Sequence, residues 1–255
     1  MLNNKWFKSI LYPILMIGVV IVFWECLRNF GFFKKELLPN SIDIGQSIWK
    51  LLASFDFWQD FSASMYRTFY GLFVAVIVGI PLGFLIGSNR YIKPIGTPMI
   101  DFLRSIPVTS LYPVFVLTLG IDNKGKIGMI FLGCVLVIML HTITGFDNRS
   151  RHRHLISKLY GATKYFIFFK IILFETLPNI ITGIRVAIGY ALIITTLTEM
   201  FMGAANGIGQ SLMESYSIYN LSKMYAYIFI LGLIGYGLNQ LIASIERNTL
   251  EWKTK

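Results

Sequence analysis

Runs of apolar residues recur along the chain at six places: Ser9–Trp24, Thr68–Asn89, Ser105–Ile121, Ile127–Phe146, Pro178–Met200 and Met224–Ile245. A helix needs about 20 mostly apolar residues to cross a hydrocarbon layer ~30 Å thick, and the first and third runs fall short of that. Barrel strands alternate apolar and polar positions, whereas these runs are apolar on every face, so the pattern predicts helices. Between the first two runs the pattern changes. Ile44, Ile48, Leu51 and Leu52 share one helical face after a cap at Asn40 or Ser41, which predicts a short amphipathic helix over Ser41–Leu52 lying along the membrane surface. The expected fold is an all-α integral membrane protein of about six transmembrane helices, with an anchor helix and amphipathic segment over 1–61 and a core over 62–255.

Composition agrees: 55% of residues are hydrophobic and 14% charged, against about 25% charged in a soluble domain. A net charge of +10 fits either nucleic acid or the anionic inner face of a membrane, and the positions of the charges decide for the membrane. Six spans put both termini on one side. If that side is the cytoplasm, the inner segments hold Lys5, Lys8, Arg90, Lys93, Arg104, Arg149, Arg151, Arg153, Lys158, Lys164, Lys170, Arg247, Lys253 and Lys255. The outer segments hold half as many: Arg28, Lys34, Lys35, Lys50, Lys124, Lys126 and Lys223. Cytoplasmic N and C termini are therefore expected, with the bilayer rather than nucleic acid as partner. The start, "MLNNKWFKSILYPILMIGVVIVFWEC", opens like a secretory signal but has no small-x-small cleavage site, so it reads as a retained anchor.

Candidate chemistry is sparse. Cys26 and Cys134 sit in separate apolar runs, and His152 and His154 point to different sides of a helix, so neither pair has metal-ligand spacing and no metal is expected. "GIDNKGK", Gly120 to Lys126, is one residue short of a phosphate-binding loop, but Ile127 stands where a hydroxyl should reach Mg²⁺. It also falls between the third and fourth runs, on the outer side, where Gly120 and Gly125 read as turn residues.

The longest inner segment is "DNRSRHRHLISKLYGATKYFIFFKIILFETLP". It predicts a basic helix, a break at Gly161, and an apolar helix ending before Pro178. Gly161, Ile171 and Leu173 match the pattern Glu-Ala-Ala, three residues, Gly, nine residues, Ile-x-Leu-Pro, while Leu155-Ile156-Ser157 and Phe174 depart from it. With "SMYRTFYGLFVAVIVGIPLGFLIG", "DFLRSIPVTSLYPVFVLTLGI", "LPNIITGIRVAIGYALIITTLTEMFMGAANGIGQSL" and "ERNTLEW" in order, the chain resembles the permease subunits of bacterial ABC importers, those for nitrate, taurine and aliphatic sulfonates above all. The resemblance implies a type I importer permease fold in the bacterial inner membrane, two copies lining a path, and a coupling helix in the loop at about 147–177. It implies two copies of a separate ATPase subunit, which bind ATP and Mg, and an external solute-binding protein. The chain itself would hold no cofactor and catalyse no reaction. Leu155, Ile156, Leu159, Tyr160, Gly161 and Ala162 are the expected contact with the ATPase.

Three charges fall at or inside span ends. Each needs a partner, a wet cavity or an escape to the interface, because a central charge costs roughly 2.5–3.5 kcal/mol on insertion scales. Arg185 is expected either to attract an anion in transit or to snorkel to headgroups, and Arg67 to anchor the end of the second span. Glu199 precedes "MGAANGIGQSL", whose Gly207 and Gly209 suggest a tightly turned gate loop with amides for the carboxylate. Gly79, Gly83 and Gly87 line one face of the second span, a spacing that suits close helix packing. An ion-driven carrier would place acidic or histidine relays at mid-membrane, and a membrane enzyme would cluster them at one depth. Neither pattern occurs in the sequence. A vitamin precursor, thiamine- or riboflavin-related, is the alternative to an anionic substrate.

Overall fold

The computed structural model describes residues 15, 18–30, 34 and 36–249. Half of the run Ser9–Trp24, together with Lys5, Lys8, Lys253, Lys255 and the end of "ERNTLEW", lies outside the described residues. Every regular element among those described is helical: α1 over 18–29, α2 Ser41–Ala53, α3 Phe55–Ser88, α4 Lys93–Ser105, a 3₁₀ turn Val108–Leu111, α5 Tyr112–Leu119, α6 Asn123–Asp147, α7 Arg151–Leu159, α8 Lys164–Ile167, a π turn Phe168–Ile172, α9 Leu173–Met202, α10 Ile208–Ser217 and α11 Leu221–Thr249. By length and apolarity Phe55–Ser88, Asn123–Asp147, Lys164–Met202 and Leu221–Arg247 can each cross a membrane. The chain forms two compact units, Gln59–Ser211 with Gly232–Lys255 and Met1–Trp58 with Leu212–Leu231.

Three boundaries differ from the sequence expectation. The third run is not one straight span: α4 and the segment Val108–Leu119 meet at 80°. Ile106, forced out of helical geometry by the proline that follows, is extended at φ −77°, ψ 119°. The apolar helix does not end before Pro178 but runs from Lys164 to Met202 with Pro178 inside it. Proline forfeits one backbone bond, while breaking the helix in an apolar medium would orphan several. Gly125 is not a turn residue, because α6 has already begun at Asn123. Gly120 does turn the chain, at φ +79°.

In the larger unit α6 is the most enclosed helix, with Ile130, Cys134, Ile138 and Ile143 buried between α3 and α9. Its fit to α3 depends on a stripe of small residues. A methyl group added at Gly79 would lie 3.0 Å from Ile138, and one at Gly83 only 2.6 Å from the Thr142 side chain. At Gly87 the nearest atom, on Phe146, is at an ordinary 3.4 Å. Gly79, Gly83 and Gly87 all face α6, so close packing is what their spacing achieves. In the smaller unit α2 begins on Asn40, whose side chain accepts from Ile42 N–H at 3.1 Å, and Trp24 of α1 donates from Nε1 to Pro39 O at 3.0 Å.

Candidate functional site

The two ends of α9 each carry a buried carboxylate, Glu175 and Glu199. They are 24 positions apart, or about 36 Å at 1.5 Å per residue.

At the Glu175 end, α6 finishes at Asp147 and Ser150 caps α7, accepting from Arg153 N–H. The Ser150 N–H itself donates to Glu175 Oε2 at 2.8 Å, and Arg153 Nε lies 2.9 Å from Glu175 Oε1. Lys93 of α4 pairs with Asp147, and Arg149 covers the Phe146 ring at 3.7 Å. The first turn of α7 is thereby tied to the foot of α9 and to the end of α6. α7 stops at Gly161, which adopts φ +73° with open space around its missing side chain. Only glycine takes that conformation without strain. Thr163 caps the next helix.

The residues expected at a coupling surface divide here. Leu155 and Ile156 are exposed, Leu159 is 86% exposed and Tyr160 87%, an apolar patch at the tip of a short basic helix. Gly161 makes the turn. Ala162 instead packs toward the cluster of Phe84, Phe146, Ile167, Ile172 and Ile180. His154, in the same helix, has a pKa held below the ordinary imidazole value by partial burial and by Lys158 and Arg149, with Glu175 opposing them.

At the other end Glu199 is 0% exposed and is held by three donors: the Ser64 hydroxyl, shared between the two carboxylate oxygens at 2.9 and 2.8 Å, Arg67 Nη1 at 2.6 Å, and Gly209 N–H at 3.0 Å. Arg67 is not an interfacial anchor. It is 6% exposed, donating also to Asn206 O at 2.9 Å and from Nε to Asn123 at 2.7 Å. Asp60, Ser64 and Arg67 recur at i, i+4 and i+7, so one face of α3 holds all three. Asp60 accepts from Gly207 N–H at 2.8 Å and from Ser211, and Ser64 accepts from Ile208 N–H at 2.9 Å. Together they clamp the loop between α9 and α10. Gly207 and Gly209 permit this, since a methyl on Gly207 would sit 2.6 Å from the Glu199 carboxyl carbon and one on Gly209 2.4 Å from Thr196 O.

Sequence reasoning missed Asp60 and Ser64 and gave Arg67 another role. The available signal was the seven-residue recurrence of polar groups just before an apolar run, on a helix that begins at Phe55 rather than Thr68. Arg185 stands apart from Glu199, donating to Asn239 at 2.6 Å and to Glu246 at 3.4 Å.

The profile of the family described as "Binding-protein-dependent transport system inner membrane component" matches residues 79–250. The chain belongs to this family. A Bacillus subtilis (strain 168) protein whose name describes it as an aliphatic sulfonates transport permease is 27% identical, over 97% of this chain and 88% of that one. A formylaminopyrimidine transport permease of Halalkalibacterium halodurans is 29% identical, over 96% and 97%. Among solved structures, an inward-facing form of the MetNI methionine ABC transporter shares the fold at TM-score 0.67 and 20% identity, covering 75% of this chain and 96% of that one. The chain is thus an ABC importer permease, a multi-pass membrane protein with the type I fold.

Proposed function

We propose that the chain forms the translocation path of an ATP-driven importer for a small anionic solute such as an aliphatic sulfonate, taurine or nitrate. It works in the bacterial cytoplasmic membrane as two copies. The tip of α7 faces the cytoplasm and seats a separate ATPase subunit through Leu155, Ile156, Leu159, Tyr160 and Gly161, while Ala162 braces the tip from behind. Substrate reaches the opposite end from a binding protein, and ATP and Mg stay on the ATPase. One observation carries this reading. An exposed apolar tip is fixed through Glu175 to the foot of the helix whose far end carries the clamped loop, so a push at the tip has a stiff route across the membrane. A flexible connection would dissipate the push. An ion-coupled carrier is the less supported alternative, because Glu199 is engaged by a guanidinium and two further donors rather than free to relay protons.

The test is reconstitution with the ATPase and binding protein in liposomes. ATP-dependent accumulation of a sulfonate or nitrate is expected in the wild type, and ATP hydrolysis without accumulation in Gly161→Val. Full uptake by that variant would refute the coupling role. The likeness to a formylaminopyrimidine permease favours a second substrate reading, a thiamine-related precursor. It predicts that the binding protein retains such a heterocycle and ignores anions.

A further inference from the structure

Beside the clamp lies a cleft of about 740 Å³, walled by Arg67 of α3, by residues 119–126 and by the loop Gly203–Ala205. Its charges are arranged in a way that plain packing does not explain. The start of α6 carries no acidic residue in its first turn but two lysines, Lys124 and Lys126. Helix N-termini carry about half a positive charge, so anions are favoured there and cations disfavoured. Lys126 is moreover only 3% exposed, and its ammonium donates to Ile121 O. Among the described residues no carboxylate lies at ion-pair distance from it; Glu199, paired with Arg67, and the exposed Asp122 act on it only from farther away. A buried ammonium with one carbonyl partner and no direct ion pair is expensive.

Arg67, Lys124 and Lys126 stand against the two carboxylates Glu199 and Asp122, which leaves about one positive charge at the cleft. We infer that the cleft is a binding station for a single monovalent oxyanion group, a sulfonate, carboxylate or nitrate, held between the Lys126 ammonium and the N-terminal amides of α6, with Lys124 at the mouth. This rests on the importer reading above and assigns part of its path. The occupant supplies the direct ion pair that Lys126 lacks, and it lies against the guanidinium that also holds the clamped loop.

The test uses the permease assembled with its ATPase in phosphatidylcholine nanodiscs, without binding protein, titrated with methanesulfonate at constant ionic strength in chloride. The wild type should bind saturably, Lys126→Met should weaken binding about tenfold or more through loss of a charge-assisted bond, and Lys126→Arg should stay within about threefold of wild type. Equal binding by Lys126→Met overturns the assignment. If that variant does not assemble, the exposed Lys124→Gln must weaken binding measurably, and unchanged binding there overturns it equally. Adding phosphatidylglycerol separates a free solute from a lipid headgroup: unchanged binding supports the solute, and abolished binding assigns the cleft to lipid and refutes the station. Stimulation of ATP hydrolysis by the loaded binding protein, measured on the same wild-type preparation, tests the importer reading separately. Stimulation without methanesulfonate binding would sink the station alone.

Discussion

Removing both members of the Arg67–Glu199 pair should destabilise the protein by clearly less than the sum of removing each alone. Arg67→Met leaves the Glu199 carboxylate buried with only Ser64 and Gly209 as donors. Glu199→Gln keeps an acceptor for those donors but leaves the guanidinium without its counter-charge. Breaking a buried pair from one side costs about 3–5 kcal/mol, mostly as the penalty of the orphaned charge. The double variant carries no orphaned charge, so a coupling of roughly 2–3 kcal/mol is expected in the cycle. At about 2–4 °C per kcal/mol for a chain of this size, each single substitution should lower the melting temperature by on the order of 10 °C and the double by clearly less than the sum. Cys134 reports the transition, since it is buried while Cys26 is exposed. In a Cys26→Ser background, a thiol-reactive dye reads unfolding directly. Single shifts that simply add in the double variant would refute the claim that this pair holds the loop.

Other outcomes follow from the same geometry. Gly83→Ala should cost about 1–3 kcal/mol more stability than Gly87→Ala, read as a lower melting temperature, because the new methyl meets Thr142 at 2.6 Å in one case and Phe146 at 3.4 Å in the other. Gly161→Asn should retain coupling that Gly161→Val loses, since asparagine tolerates the left-handed backbone and valine does not; ATP hydrolysis and uptake measured together separate the two. His154, whose pKa is lowered on folding, binds fewer protons in the folded state. Its contribution is present above the unfolded value near 6.5 and declines as pH falls below it. Hydrogen exchange over residues 151–160 should therefore speed up slightly relative to the rest of the chain between pH 7.5 and 5.5, and His154→Gln should remove that difference. Glu175→Ala should increase exchange in the same helix at pH 7.5 without changing the melting of the α3–α6 core.

Helix class, membrane insertion, the amphipathic α2 and the break at Gly161 were legible because each is a local property: apolar run length, a 3.6-residue period, or the residue that most readily accepts positive φ. The glycine stripe was legible for the same reason. Span boundaries were not, because a polar start such as Phe55 to Arg67 does not look like a span until Glu199 and the loop after α9 satisfy it. Pro178 misled in the opposite direction. A proline signals a stop in water, but the apolar setting of α9 makes continuation the smaller penalty. The pairing of Arg67 with Glu199 lay out of reach in one dimension, since its members are 132 positions apart and each alone is compatible with snorkelling.

The account stands on the α7 tip facing the cytoplasm and seating an ATPase. Cysteine placed at Tyr160 in a cysteine-free background measures this most directly. It should resist a membrane-impermeant maleimide in intact cells, react in inverted vesicles, and become protected there when the ATPase subunit is added. Labelling in intact cells, or labelling in inverted vesicles that the ATPase leaves unchanged, would contradict it.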